Sequence, residues 1–219
     1  MSRSTVLTTL YCTDEDVFTV IPADFATLCP KASRYAGGAD GVVSGWTLTS
    51  ASVNFATRGV LPGMVVQLTG PRSAYNPPDA LAVDTVSTNT LTLRRCGMNT
   101  NEGDPPVPAT AVSFVVLSVR AQIENGSFEA NESYSIDPNI TYRTPPDVYD
   151  PRVLRRLTIL WVASQLYLNE NRTKDGDFAT KAALYRIQYE DALAKAILRW
   201  GPVGTTQPTT TKFSTRLGR

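Results

Sequence analysis

Chemistry in a protein needs a nucleophile, an acid or base, or a set of metal donors, and this chain offers few of them. It has no histidine. That removes imidazole bases, His-containing triads, imidazole metal ligands and any histidine-based pH switch together. Cys12, Cys29 and Cys96 have no metal-binding spacing, and a zinc site built from them would need a fourth ligand that no histidine can supply. An odd cysteine count with no secretory signal fits free, partly buried thiols in a reducing compartment. Asp14, Glu15 and Asp16 could be drawn as a cation site. Behind Thr13 they read more simply as the acidic first turn of a capped helix. Asp79 and Asp84 read as solvated carboxylates, because nothing sets them opposite each other across a substrate. Gly37, Gly38 and Gly41 form neither a dinucleotide fingerprint nor a P-loop. The serines and threonines have no histidine and no S-x-x-K lysine to activate them. The chain reads as a non-enzyme without cofactor or metal.

Charge narrows the partners. Twenty-one Lys and Arg against 20 Asp and Glu leave a net +1, too balanced for a protein that coats nucleic acid. Basic residues cluster at Arg94-Arg95 and again at Arg152, Arg155 and Arg156. The second cluster sits at a helix start, where Asp147 and Asp150 offset its unfavourable placement against the helix dipole. It fits an ion-pair network, a partner-binding surface or a DNA contact. The sequence reaches 42% hydrophobic residues over 219 positions, enough for one good core or two modest ones. No apolar run attains the ~18 residues of a membrane span, so no membrane partner is expected. The sequons at Asn125, Asn131, Asn139 and Asn171 are coincidental without a secretory signal.

The elements that must position these residues change period twice. Thr13 to Leu28 predicts one or two short helices ended by Pro30. From Asp40 the pattern turns to alternation. Residues 40 to 96 predict four or five antiparallel strands, among them Met64–Leu68 and the run through Leu91 and Leu93. Leu61-Pro62-Gly63 supplies turn chemistry. Residues 112 to 119 return as a closing strand. Residues 121 to 136 predict a helix with apolar Ile123, Phe128 and Ile136, weakened at Gly126. Pro151 behind Asp150 starts a longer helix, apolar on several sides through Glu170. Phe178 to Trp200 carries a second one, and their short link predicts an antiparallel hairpin. Trp161 and Trp200 are expected to be largely buried in an assembled particle, Trp161 in the subunit core and Trp200 near the end of the final helix. The resulting fold class is α+β, a helical bundle with an inserted small antiparallel β-barrel domain. Its divisions are an N-terminal helical segment of the bundle (1–39), the β-domain (40–118), the bundle with its long C-terminal hairpin (119–200) and a flexible tail (201–219).

With chemistry largely absent, surfaces dominate. Trp161, Tyr167, Tyr185, Tyr189 and Trp200 exceed what one hairpin needs, and aromatics are enriched at interfaces. The run from Ala121-Gln122-Ile123 through Ile136-Asp137-Pro138, TPPDVYDPRVLRRLTILWVASQLYLNE and DFATKAALYRIQYEDALAKAILRW resembles the head–tail connector (adaptor, head-completion) proteins of tailed phages. The resemblance covers about residues 121 to 200. It implies a structural subunit of a virion neck, made in the host cytoplasm and assembled as a homo-oligomeric, commonly dodecameric, ring. The ring would join the portal protein to a tail or stopper protein and let double-stranded DNA pass without being read. C-terminal segments in the family can engage the portal, which singles out Lys212, Phe213, Arg216, Leu217 and Arg219 beside Arg152, Arg155 and Arg156. Two other readings stay open. One is a stopper or tail-terminator subunit, with the β-domain as the ring-forming part. The other is a nucleic-acid- or glycan-binding barrel, which requires exposed Trp46, Phe55 and Tyr75 to converge on one face.

Overall fold

The computed structural model describes residues 9–30, 33–75, 77–98, 103–134, 136, 151–170, 177–200 and 209–210. The chain has both helices and a closed antiparallel β-barrel, an α+β arrangement. It divides into two compact units, Thr13–Arg120, and Met1–Cys12 together with Ala121–Arg219.

The first unit begins with α1 (Asp14–Val20) and α2 (Phe25–Leu28). Thr13 caps α1 as its sequence predicts. Its side chain accepts from the Asp16 N–H while the Asp16 carboxylate accepts from the Thr13 N–H, a capping box. The barrel strands are β1 (Arg34–Ser44), β2 (Thr47–Thr49), β3 (Val65–Gly70), β4 (Asp79–Val86), β5 (Thr90–Arg95) and β6 (Ala109–Leu117). They close in the order β1-β2-β5-β4-β3-β6, and each neighbouring pair is antiparallel. Alternation does the sorting. In β5, Leu91 and Leu93 point inward while Thr90, Thr92 and Arg94 stay half-buried. Leu48, Phe55, Val66, Leu68, Leu81 and Val112 join them in one core.

Two glycines make this geometry possible. Gly63 takes φ +85 in the turn before β3, a region that costs other residues energy. Gly41 lies where β1 shifts register against β6, and a Cβ there would stand 2.8 Å from the Val112 carbonyl oxygen. The boundary expected at residue 40 falls inside β1. Gly37 and Gly38, ahead of the expected boundary, pair with Val115 and Phe114 along β6. Residues 13–39, expected with the helical bundle, belong to the same unit as the barrel. Helical period reports a buried face but not which partner buries it.

The second unit contains α3 (Arg120–Tyr134, from Ala121 onward), α4 (Arg152–Glu170), α5 (Asp177–Lys195) and a two-stranded pair, β7 (Arg199–Trp200) with β8 (Thr209–Thr210). Ala130, Tyr134, Leu154, Leu157, Tyr189 and Leu198 share its core. Gly126, read as a weak point of its helix, faces α4. A Cβ there would come within 3.1 Å of Trp161 Cε3 and Val162 Cγ2. Tyr167 near the end of α4 stacks on Tyr185 of α5 and packs against Phe178 at the start of α5, so the two helices run antiparallel.

Three expectations are corrected here. Trp161, expected in the subunit core, is only half-buried. The last helix stops at Lys195 instead of Trp200, because Arg199 and Trp200 leave it to pair with Thr210 and Thr209. That same pairing gives Thr209–Thr210 extended structure inside the segment expected to be a flexible tail.

Candidate interaction surface

The helical unit holds the least satisfied surface among the described residues. Helix α4 buries nine residues, from Leu154 to Tyr167, whereas α5, equally long at 19 residues, buries only Ala182 and Tyr189. The reason is local. Ala182, Tyr185 and Tyr189 recur at three and four residues and turn toward α4. Leu184 and Ile187 fall on the opposite side of the same helix, and they are 50% and 64% exposed. Leu168 of α4 is 49% exposed. It lines a groove of about 390 Å³ with Ser164, Gln165, Ala179, Ala183 and Arg186. Small alanines on one wall leave room there, and Leu168 supplies the apolar rim. Around this strip the charges are paired along α5, Lys181 with Asp177, Arg186 with Glu190 and Lys195 with Asp191. Such pairs are worth a few tenths of a kcal/mol each and keep the flanks soluble. This arrangement can bind an apolar surface. It brings no acid and base together.

Arg152, Arg155 and Arg156 are exposed in the first turns of α4, as a surface cluster should be. The Arg155 N–H bonds to the Pro151 carbonyl at 2.9 Å, so the helix starts on Pro151. Asp147 and Asp150 lie outside the described residues. So do Lys212, Phe213, Arg216, Leu217 and Arg219 of the tail. The side chain of Trp200 is likewise outside the description.

The other candidates are absorbed by the barrel unit. Asp14, Glu15 and Asp16 are all buried, each turned to a different partner. Asp14 bonds to Ser118 and Val119, Glu15 pairs with the Arg94 guanidinium and accepts the Gly97 N–H, and Asp16 completes the cap. Among the described residues no cluster of side chains could hold a metal ion. Asp79 and Asp84, read as solvated carboxylates, each stand beside an arginine, Asp79 half-buried and Asp84 still exposed. Asp79 meets Arg95 at 2.8 Å, and Asp84 lies 3.6 Å from Arg94. Arg94 and Arg95 are thereby spent on structure. The aromatic set needed by a glycan- or nucleic-acid-binding face is not exposed. Phe55 and Tyr75 sit in the barrel core, Trp46 packs against it, and the Tyr75 hydroxyl donates to the Val107 carbonyl at 2.6 Å. Burial pushes the Cys29 and Cys96 thiols up to about 12, the opposite of a reactive cysteine.

Of the aromatics singled out for an interface, Tyr167 and Tyr189 are buried within the unit and Tyr185 stacks on Tyr167, so the apolar residues that stay outside on α5 are others. The signal was present in Leu184 and Ile187, which break the stripe made by Ala182, Tyr185 and Tyr189. Comparison with protein-family models, with curated protein sequences and with solved structures yields no match.

Proposed function

We propose that this chain is an adaptor subunit of a tailed-phage neck, one copy of a dodecameric ring that joins the portal to a tail or stopper protein. The observation that carries this reading is the uncovered apolar face of α5, beside which α5 also lines a groove with α4. A helix that buries one narrow stripe and exposes Leu184 and Ile187 opposite to it is suited to a second helical neighbour. Covering a large aliphatic side chain contributes about 1.5–3 kcal/mol. Repeated around a closed ring, that gain opposes the entropy lost on assembly. In this reading α3, α4 and α5 form the bundle that packs between neighbours.

The chemistry of the rest is consistent with that role. A near-neutral chain gives moving duplex DNA few places to be held, since each neutralised phosphate adds affinity. The exposed Arg152, Arg155 and Arg156 and the basic tail residues Lys212, Arg216 and Arg219 supply contacts to carboxylates on the portal, with Phe213 and Leu217 as apolar anchors. No helix among the described residues is long and apolar enough to cross a membrane, which suits a component of a virion neck. No catalytic step belongs to this reading.

The test is assembly with the cognate portal, followed by image reconstruction. The expected result is a ring beneath the portal in which α4 and α5 lie between subunits, lost in Ile187→Asp while the free chain stays folded. Contacts made by the barrels alone would assign a stopper or tail terminator instead. Particles whose neck lacks the chain would overturn the proposal.

A further inference from the structure

One buried carboxylate of the barrel unit has no part in that reading. The chain passes between its two units at Cys12–Thr13 and again at Arg120–Ala121. Asp14 stands just inside the first passage, and its side chain reaches the residues just inside the second, 104 positions away. The Ser118 hydroxyl donates to Asp14 Oδ2 at 2.8 Å, and the Val119 N–H donates to Oδ1. Ser118 Oγ in turn accepts the Arg120 N–H at 3.1 Å. The Cys29 thiol, at the end of α2, donates to the Ser118 carbonyl at 3.3 Å. Asp14 is 5% exposed, and Ser118 and Val119 are fully buried. One side chain thus fastens the start of α1 to the end of β6 and to the first residue of α3.

We propose that Asp14 is a proton-operated latch, closed when its carboxyl is neutral and loosened when it ionises. The neutral group keeps Oδ1 as acceptor for Val119, and its O–H can donate to Ser118 Oγ, which retains a lone pair for Arg120. The ionised group keeps the same partners but leaves a negative charge in a dry site. The groups around it compensate only in part. Glu15 and Asp16, its neighbours on α1, are turned to Arg94 and Thr13. Arg120, at the start of α3, favours the carboxylate, and Arg34 of β1 acts on Cys29. Burial outweighs Val119, Ser118 and Arg120 and raises the Asp14 carboxyl from 3.8 to about 6. A raised carboxyl pKa means that folding favours the protonated form. Its contribution is complete below about pH 4 and is lost as pH rises through about 6.

A chain without histidine makes this readable, because no imidazole titrates between pH 5 and 8. Among the described groups, Tyr11, Cys29, Tyr75, Cys96 and Tyr134 are pushed to about 12, and hydrogen bonds from Ser52 and Ser50 move Asp40 downward. The experiment follows the Asp14 side-chain carbon by NMR in the full-length chain, together with hydrogen exchange at the Val119 and Arg120 amides, corrected for intrinsic rates. Asp14 should titrate near pH 6, and protection at both amides should fall by more than ~10-fold between pH 5 and 7.5. Asp14→Asn, which keeps an acceptor and a donor but no charge, should hold protection constant over that range. Titration of Asp14 near pH 4, or unchanged protection in the natural chain, would overturn the latch. So would the same pH dependence in Asp14→Asn.

Discussion

In the barrel unit every strand has a neighbour on each side, and its buried charges meet partners, as Glu15 meets Arg94 and Asp14 meets Ser118. In the helical unit α5 covers one stripe and leaves Leu184 and Ile187 in solvent. Buried polar atoms show the same division. Among the described residues, Gln122 Oε1, Tyr134 Oη and Thr158 Oγ1 have no hydrogen-bond partner, and all belong to the helical unit. A buried hydroxyl without a partner costs about 1–3 kcal/mol. One unit therefore closes on itself, while the other carries unsatisfied groups inside and uncovered apolar groups outside.

Four substitutions would break or sharpen that contrast. Phe55→Ala empties a fully buried site packed on Phe114 and should cost about 3–5 kcal/mol, read by chemical denaturation. A loss below about 1 kcal/mol would mean that the barrel is not a close-packed unit. Arg94→Ala strands the buried Glu15 carboxylate and should cost about 3 kcal/mol, whereas replacing both partners with methionine should recover most of it. Equal losses in the single and double variants would show that packing matters there more than charge. Thr158→Val removes an unpartnered hydroxyl at constant shape and should leave the helical unit unchanged or about 1 kcal/mol more stable. A marked loss would reveal a partner for that hydroxyl. Ile187→Asp should shift the unfolding free energy of the free chain by no more than about 0.5 kcal/mol, since the side chain is mostly in water. A large loss would place Ile187 in a core, and the contrast between the units would fail.

Local chemistry was readable from the residues. The Thr13 cap, the turn at Gly63, the alternation through Leu91 and Leu93 and the helix behind Pro151 all depend on a few neighbouring positions. What was not readable depends on distant ones. The first half of β1 falls ahead of the expected boundary because Gly37 and Gly38 carry no alternation, and only pairing with β6 makes it a strand. Asp14 and Glu15 look like surface charges until Ser118 and Arg94 arrive from elsewhere in the chain. The candidate surface was half legible. An amphipathic pattern shows that a helix has apolar residues to bury, and cannot divide them between its own unit and another molecule. Leu184 and Ile187 needed the positions of Ala182 and Tyr189 to be recognised as facing outward.

The order β1-β2-β5-β4-β3-β6 returns to β1 through β6. A sheet that ends on itself offers no open backbone ladder to which a stray strand could add. Whatever the barrel presents to another molecule is therefore made of side chains, which single substitutions can tune one position at a time.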